Sequence, residues 1–316
     1  MDPISVKIPK LFDTSAINSF LGNRDEFLLK AQSTKKVVLN FSETKYLSQL
    51  GTLVIARFVD ELIQLNCSCS AYYGQEKSKS VIRWFLVTMG LINDKNVQDQ
   101  DYLKRIRVDV QRCFNSKESL VAVNKLMHII RQEYQLSKSV LKAVNWAFWE
   151  AIDNAGLHGY RMYDKHNQNF SAPVYFSAFN YEKEIEIAIL DVGQGIRNSF
   201  ISSGQMKYQN ISNKDALELS IREHESGHPK GSPGFGLYGC AEIARETNGK
   251  LVIISGTNHL TVNKDTLVID PYFNFNGTML SLEASKQANI KLEKILGPQS
   301  VTVSENIEDL LGEFNE

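Results

Sequence analysis

Cysteine is scarce, and neither sign of charge is in excess. Cys67, Cys69, Cys113 and Cys240 form neither a CxxC pair nor a set with histidines at metal-ligand spacing. A disulfide framework and a zinc module are therefore excluded, and small buried thiols in a reduced, cytoplasmic chain are expected. Lys and Arg number 35 against 36 Asp and Glu, so no global field draws in nucleic acid or an anionic membrane. Nucleic acid is not indicated as a partner. Long apolar runs are missing too. MDPISVKIPK lacks the apolar centre of an export signal, and Val81 to Ile92 is broken by Arg83, far short of the roughly 18 residues a membrane span needs. A soluble, unexported chain is the expectation. What is present is an ordinary globular composition, 43% hydrophobic over 316 residues, enough for two domains and without internal repeats.

The first part of the chain has α/β periodicity. Val37 to Phe41 is a short apolar run ended by Ser and Glu and reads as a buried strand. Gly51 to Gln64 carries apolar residues at helical spacing, Cys67 to Tyr73 reads as a second strand closed by Gly74, and Ser80 opens a helix that Gly90 ends. This order, with Tyr46-Leu47-Ser48-Gln49-Leu50-Gly51 before the first helix, resembles the STAS domain of anti-sigma antagonists over residues 1–97. The chain departs from that family at the phosphorylation motif: where phosphorylated members have Asp-Ser-Ser-Gly, it has Ser48-Gln49-Leu50-Gly51. The acceptor hydroxyl is absent, so the resemblance implies a docking or dimerisation module rather than a phosphorelay substrate.

Asn93 to Asp101 is polar and aperiodic, and a linker is placed at residues 98–104. Helical patterns then cover Leu120 to Glu133 and, after a Ser137 cap, Val140 to His158. Strands are expected at Val174 to Asn180, Ile185 to Asp191, Leu251 to Ser255, Leu267 to Ile269 and Thr278 to Leu282, with a helix from Gly236. Helices and strands mix without regular alternation, which predicts an α+β sandwich with a mixed sheet.

Four segments carry candidate chemistry. On the first, Glu150 and Asn154 lie one helical turn apart on one face, so a carboxylate able to polarise water and a carboxamide suited to Mg²⁺ converge. Alone, the pair reads equally as two polar residues on a solvated face. In the second, Asp191 ends an apolar strand and is followed by Gly193 and Gly195, so backbone can approach a flat ligand while the carboxylate accepts from an exocyclic amine such as that of adenine. A glycine-rich turn is the plain alternative. The third, Gly231 to Gly239 with Gly234, Gly236 and Leu237, opens a helix whose free N–H groups suit phosphates. Its GxGxxG spacing is not a dinucleotide fingerprint, because Glu223 to Lys230 before it is no strand. In the fourth, Gly277-Thr278 leads into an alternating strand, where a hydroxyl can support the same pocket.

In order, these segments resemble the N box, the DxGxG adenine box, the glycine-rich phosphate box and the terminal Gly-Thr strand of the GHKL superfamily, the ATP-binding fold of gyrase, MutL and histidine kinases. The likeness spans residues 105–285 and is nearest to the anti-sigma factor serine kinases. It implies an ATP and Mg²⁺ site in which Asn154 holds the metal and Glu150 activates a nucleophile. Asp191 would bind adenine with Thr278 behind it, Gly193 and Gly195 would shape the pocket, and Gly234, Gly236 and Leu237 would face phosphates. Arg197 to Pro233 becomes an ATP lid containing a short helix at Asp215 to Glu223. Arg222, His224, His228 and Lys230 are candidate phosphate contacts from that lid, and His158 is placed either at the pocket edge or as a helix cap.

A histidine kinase is disfavoured, since His128 sits in Met-His-Ile-Ile without the acidic neighbour of an H box. Three functions remain: a slow ATPase switch that gates a partner through its lid, a serine/threonine kinase of the anti-sigma type, and a non-catalytic nucleotide-binding scaffold. Residues 286–316 are read as an acidic tail in which Ile307, Leu310, Leu311 and Phe314 form one helical face, for a protein partner or for the chain's own domain. The STAS-like domain is the other expected partner surface, and a homodimer is one form this takes.

Overall fold

The computed structural model describes residues 2–74, 80–92, 107–113, 116–159, 173–225 and 234–297. The chain is mixed α/β and divides into two compact units, residues 1–110 and 111–316. The expected linker and the amphipathic face at Ile307 to Phe314 lie outside the described residues. Among the described residues no helix is long and apolar enough to cross a membrane.

The first unit runs β1 (Ile4–Lys7), β2 (Leu11–Phe12), α1 (Thr14–Thr34), β3 (Lys36–Asn40), β4 (Tyr46–Leu47), α2 (Gln49–Gln64), β5 (Ser68–Tyr72) and α3 (Ser80–Thr88). β1, β3 and β5 pair in parallel in that order, and β2 pairs with β4. Two caps start the helices: the Asp13 carboxylate accepts from Ala16 N–H at 3.0 Å, and Ser48 Oγ accepts from Gly51 N–H at 3.0 Å. α2 is buried over most of its surface, from Leu50 and Leu53 to Phe58 and Leu62, as befits a helix that is apolar nearly all round. The expected β3, α2, β5 and α3 are present; β1 and α1 are additions. α1 escapes a periodicity reading because only Ile17, Phe20, Leu21 and Ala31 of its 21 residues are buried.

The second unit continues with β6 (Arg107–Cys113), within which the division falls, then α4 (Ser116–Glu133), α5 (Lys138–Gly159), β7 (Val174–Asn180) and β8 (Glu184–Asp191). After these come α6 (Gly195–Ser202), a 3₁₀ turn (Met206–Tyr208), α7 (Asn213–Ser220), α8 (Gly236–Glu246), β9 (Lys250–Val262), β10 (Leu267–Ser285) and α9 (Leu292–Leu296). The sheet order is β6-β7-β8-β10-β9, and β7–β8, β8–β10 and β10–β9 are antiparallel. α5 and α8 pack on each other and on this sheet, with α9 against both.

Two expectations need correcting. The strands expected at Leu267 and Thr278 are one strand, β10, whose register with β9 breaks between Pro271 and Phe275 and again between Phe275 and Thr278. The breaks destroy the alternation that would have joined them. Arg197 to Ile221, expected as a loop with one short helix at Asp215 to Glu223, has that helix as α7 but also α6 and a 3₁₀ turn, with Phe200, Tyr208, Ile211, Ala216, Leu217 and Ile221 buried. Residues 226–233 lie outside the described residues.

A fragment beginning at residue 98 keeps β6 and is expected to unfold in one cooperative transition followed by circular dichroism. One beginning at residue 114 lacks this edge strand and is expected to melt lower. Equal melting temperatures would show that β6 adds nothing to the sheet.

Candidate functional site

A cavity of about 850 Å³, part of it open to solvent, is walled by α5, the end of β8, the inner part of β10, α6, the end of α7 and the start of α8. α5 presents Glu150 and Asn154 to it from successive turns. A Cβ at Gly236, the first residue of α8, would stand 2.9 Å from Glu150 Oε2 and 3.1 Å from Asn154 Nδ2. The absent side chain is thus what lets the backbone of α8 meet both polar groups. Burial, with a smaller push from Asp153, raises the Glu150 carboxyl to about 7.

The sheet supplies the second wall. Ile189 and Asp191 share a face of β8, and the antiparallel register sets Leu280 opposite the first and Thr278 opposite the second. Asp191 is buried, and its Oδ1 accepts from Gly193 N–H at 2.7 Å, which orients the carboxylate. Gly195 follows at φ +73°, a left-handed conformation, and a Cβ there would sit 2.8 Å from Ser255 Oγ and 3.1 Å from the Gly277 carbonyl oxygen. Ser255 joins these parts: its hydroxyl donates to Gly277 O at 2.8 Å and accepts from Ile196 N–H at 2.9 Å.

The start of α8 is the third wall, through Gly234, Gly236 and Leu237. Phe235 precedes the helix and gives it no side-chain cap, and the first turn holds no acid. Among the described residues its leading N–H groups are given no side-chain cap, and such a helix start favours an anion.

Not every expected residue reaches this cavity. Gly193 is buried in the turn, bonded to Asp191, and forms no part of the wall. Arg222 pairs with Glu218, and the exposed His224 ring lies 5.0 Å from that of Phe235, so neither lines it. His158 is in the last turn of α5 with its side chain outside the described set, as are His228 and Lys230 altogether. Sequence reasoning missed Ser199, Phe200, Ser220 and Glu225, all lining residues. Glu225 accepts from Tyr208 OH and, at 3.0 Å, from Lys207 Nζ, and the Tyr208 bond first of all holds its carboxyl below the ordinary value. No periodicity links groups this far apart in the chain. Ser255 had only a weak signal, a Ser-Gly step after an apolar run, as at many strand ends.

The arrangement brings together a buried carboxylate acceptor at the strand end, an uncapped helix N-terminus, and a proton acceptor tuned near neutrality beside a carboxamide. No family model matches the chain, and no curated protein matches its sequence.

Burial of Glu150 has a measurable cost. The folded chain keeps its proton up to about pH 7, whereas an unfolded chain releases it near 4.5, so stability drawn from this group is present below 4.5 and falls as pH rises through 7. Glu150→Gln should therefore match the parent near pH 5 and exceed it at pH 8, by on the order of 2 kcal/mol. Denaturant midpoints at the two pH values check this; a variant no more stable at pH 8 would place Glu150 in water.

Proposed function

We propose that residues 105–285 form a GHKL-type ATP-binding domain, and that the protein is a Mg²⁺-dependent regulatory ATPase, a slow switch whose nucleotide state gates a protein partner. One observation carries this reading: segments far apart in sequence, each chosen for its chemistry, converge on a single cavity through Glu150 and Asn154, Asp191 and Gly195, Gly234 to Leu237, and Thr278. Solvated helix acids and ordinary turns have no reason to meet in this way.

The residues present fit ATP. Asp191, oriented by Gly193 and backed by Thr278, accepts from the adenine amine, and Gly195 holds the backbone close. The uncapped N-terminus of α8 receives phosphate oxygens. Asn154 gives a carboxamide oxygen to Mg²⁺. Among the described residues no three His, Cys, Asp or Glu side chains cluster as a metal cage, so the remaining ligands would be phosphate oxygens and water, the usual habit of Mg²⁺. ATP with Mg²⁺ supplies a transferable γ-phosphoryl group. Glu150, raised to about 7 by burial, takes the proton of the attacking water or hydroxyl near neutral pH.

The first unit is proposed as a STAS-like docking module. Ser48 is the hydroxyl nearest the expected acceptor position, but its Oγ donates to Phe12 O at 2.9 Å while accepting from Gly51 N–H, so it serves as a helix cap. This favours partner capture over a phosphorelay. Incubation with γ-labelled ATP and Mg²⁺, alone and with candidate partners, decides the class of activity. Free phosphate marks the ATPase, labelled protein a serine/threonine kinase, and neither a scaffold.

Two substitutions test the assignments. Asp191→Asn is expected to weaken ATP binding by roughly tenfold to a hundredfold while the chain stays folded, because a charge-assisted hydrogen bond is replaced by a neutral one. Unchanged affinity by calorimetry removes the adenine assignment. Glu150→Gln keeps the shape but removes the basic oxygen, so turnover should fall about a hundredfold or more with affinity within a few fold. Asn154→Ala should lose Mg²⁺-dependent affinity as well as turnover. Parental turnover in Glu150→Gln returns Glu150 to a helix acid beside a pocket.

A further inference from the structure

A second cleft shares Gly195 with the cavity above and encloses about 630 Å³, part of it open to solvent. Its walls come from the start of α6, the first residue of α7 and the β9–β10 pair. Among its lining residues there is no carboxylate and no aliphatic side chain. Carboxamides dominate: Gln194, Asn198, Asn213, Asn274 and Asn276. One cation, Arg197, stands among them. Its Nε donates to Ile211 O at 2.7 Å, which fixes the guanidinium plane and leaves the two Nη groups, and among the described residues no carboxylate pairs with it.

Several of these side chains are held in place by the fold. Asn198 Nδ2 donates to Gln194 O at 2.9 Å, leaving its carbonyl oxygen as an acceptor. Asn213 Nδ2 donates to Thr257 Oγ1 at 3.0 Å and lies against Gly256, where a Cβ would collide with it. In an unbroken strand Asn274 and Asn276 would point away from the face of Phe275. All three line the cleft, because the register breaks on either side of Phe275 re-aim the chain there.

A ligand here must be polar on every side, and the unpaired guanidinium selects an anion. We propose that the cleft binds a small phosphorylated polyol, with Arg197 on the phosphate and the carboxamides on the hydroxyls, and that it is an effector site for the neighbouring cavity. The link is structural: α6 begins at Gly195, which lines both spaces, and Ser255, in the cleft wall, holds Ile196 N–H and the Gly277 carbonyl beside Thr278. Coupling to nucleotide rests on the ATP reading; binding in the cleft does not.

The test is calorimetric titration of the full chain with glucose 6-phosphate, and separately with glucose and with inorganic phosphate. Saturable binding of glucose 6-phosphate is expected, tighter than either fragment, and weakened about tenfold or more by Arg197→Gln and by Asn274→Asp. The second variant is at an exposed position and puts a carboxylate into the cleft that takes the phosphate, without touching the Ile211 contact. No saturation at millimolar glucose 6-phosphate, or equal binding in both variants, overturns the site. Inorganic phosphate binding as tightly as glucose 6-phosphate overturns the polyol. ATP affinity is then measured with and without saturating glucose 6-phosphate, and a change of about fivefold or more is expected. An unchanged value overturns the effector role, while ATP that fails to bind even alone counts against the nucleotide reading and leaves the glucose 6-phosphate titration to decide the cleft.

Discussion

The hydroxyl of Ser255 makes two hydrogen bonds, to the Gly277 carbonyl and from Ile196 N–H, and with them it fastens β9, the bent part of β10 and the first turn of α6 at one point. Both cavities depend on that junction. If α6 started elsewhere, Gly195 would not lie against the Gly277 carbonyl of β10. A buried hydroxyl with both functions used is a strong local constraint, since leaving either partner unpaired costs about 1–3 kcal/mol.

Two glutamates of the second unit, Glu186 buried and Glu150 half-buried, show how position decides the meaning of a perturbed carboxyl. Burial pushes Glu186 up to about 7, as it does Glu150. Glu186 faces the other side of β8 from Ile189 and Asp191, and its oxygens accept from Ser281 Oγ at 2.7 Å and Tyr181 OH at 3.0 Å. It is a satisfied group within the packing. Glu150 instead opens on a cavity beside the start of α8, so its perturbed carboxyl faces space rather than packing.

The glycines of the site divide by the reason for their presence. Gly195 answers to backbone conformation, since its positive φ turns the chain from β8 into α6. Gly236 answers to space, because α8 must start within reach of two polar side chains on α5. The same spacing of glycines in a dinucleotide-binding turn would follow a strand. Among the described residues the element before α8 is the helix α7 and not a strand.

The sequence by itself determined the elements that repeat a period: α5 through the spacing of its apolar residues, β7 and β8 through continuous apolar runs, and Glu150 with Asn154 as a pair on one helical face. It also picked out Asp191, Gly195 and Gly236, because each breaks a pattern at the end of an element, and Thr278 after a Gly-Thr step that lies within β10. It left α1 unread, since a helix that buries one narrow stripe has little periodic contrast, and it split β10 in two, since bulges erase alternation. Only the tertiary structure decided that the four segments share one cavity, that Arg197 to Ile221 is packed and lends Ser199, Phe200 and Ser220 to its wall, and that Ser255 and Glu225 belong beside it. Local patterns are written by backbone geometry over a few residues. Meeting across many tens of residues is set by sheet register and close packing, which no local spacing encodes.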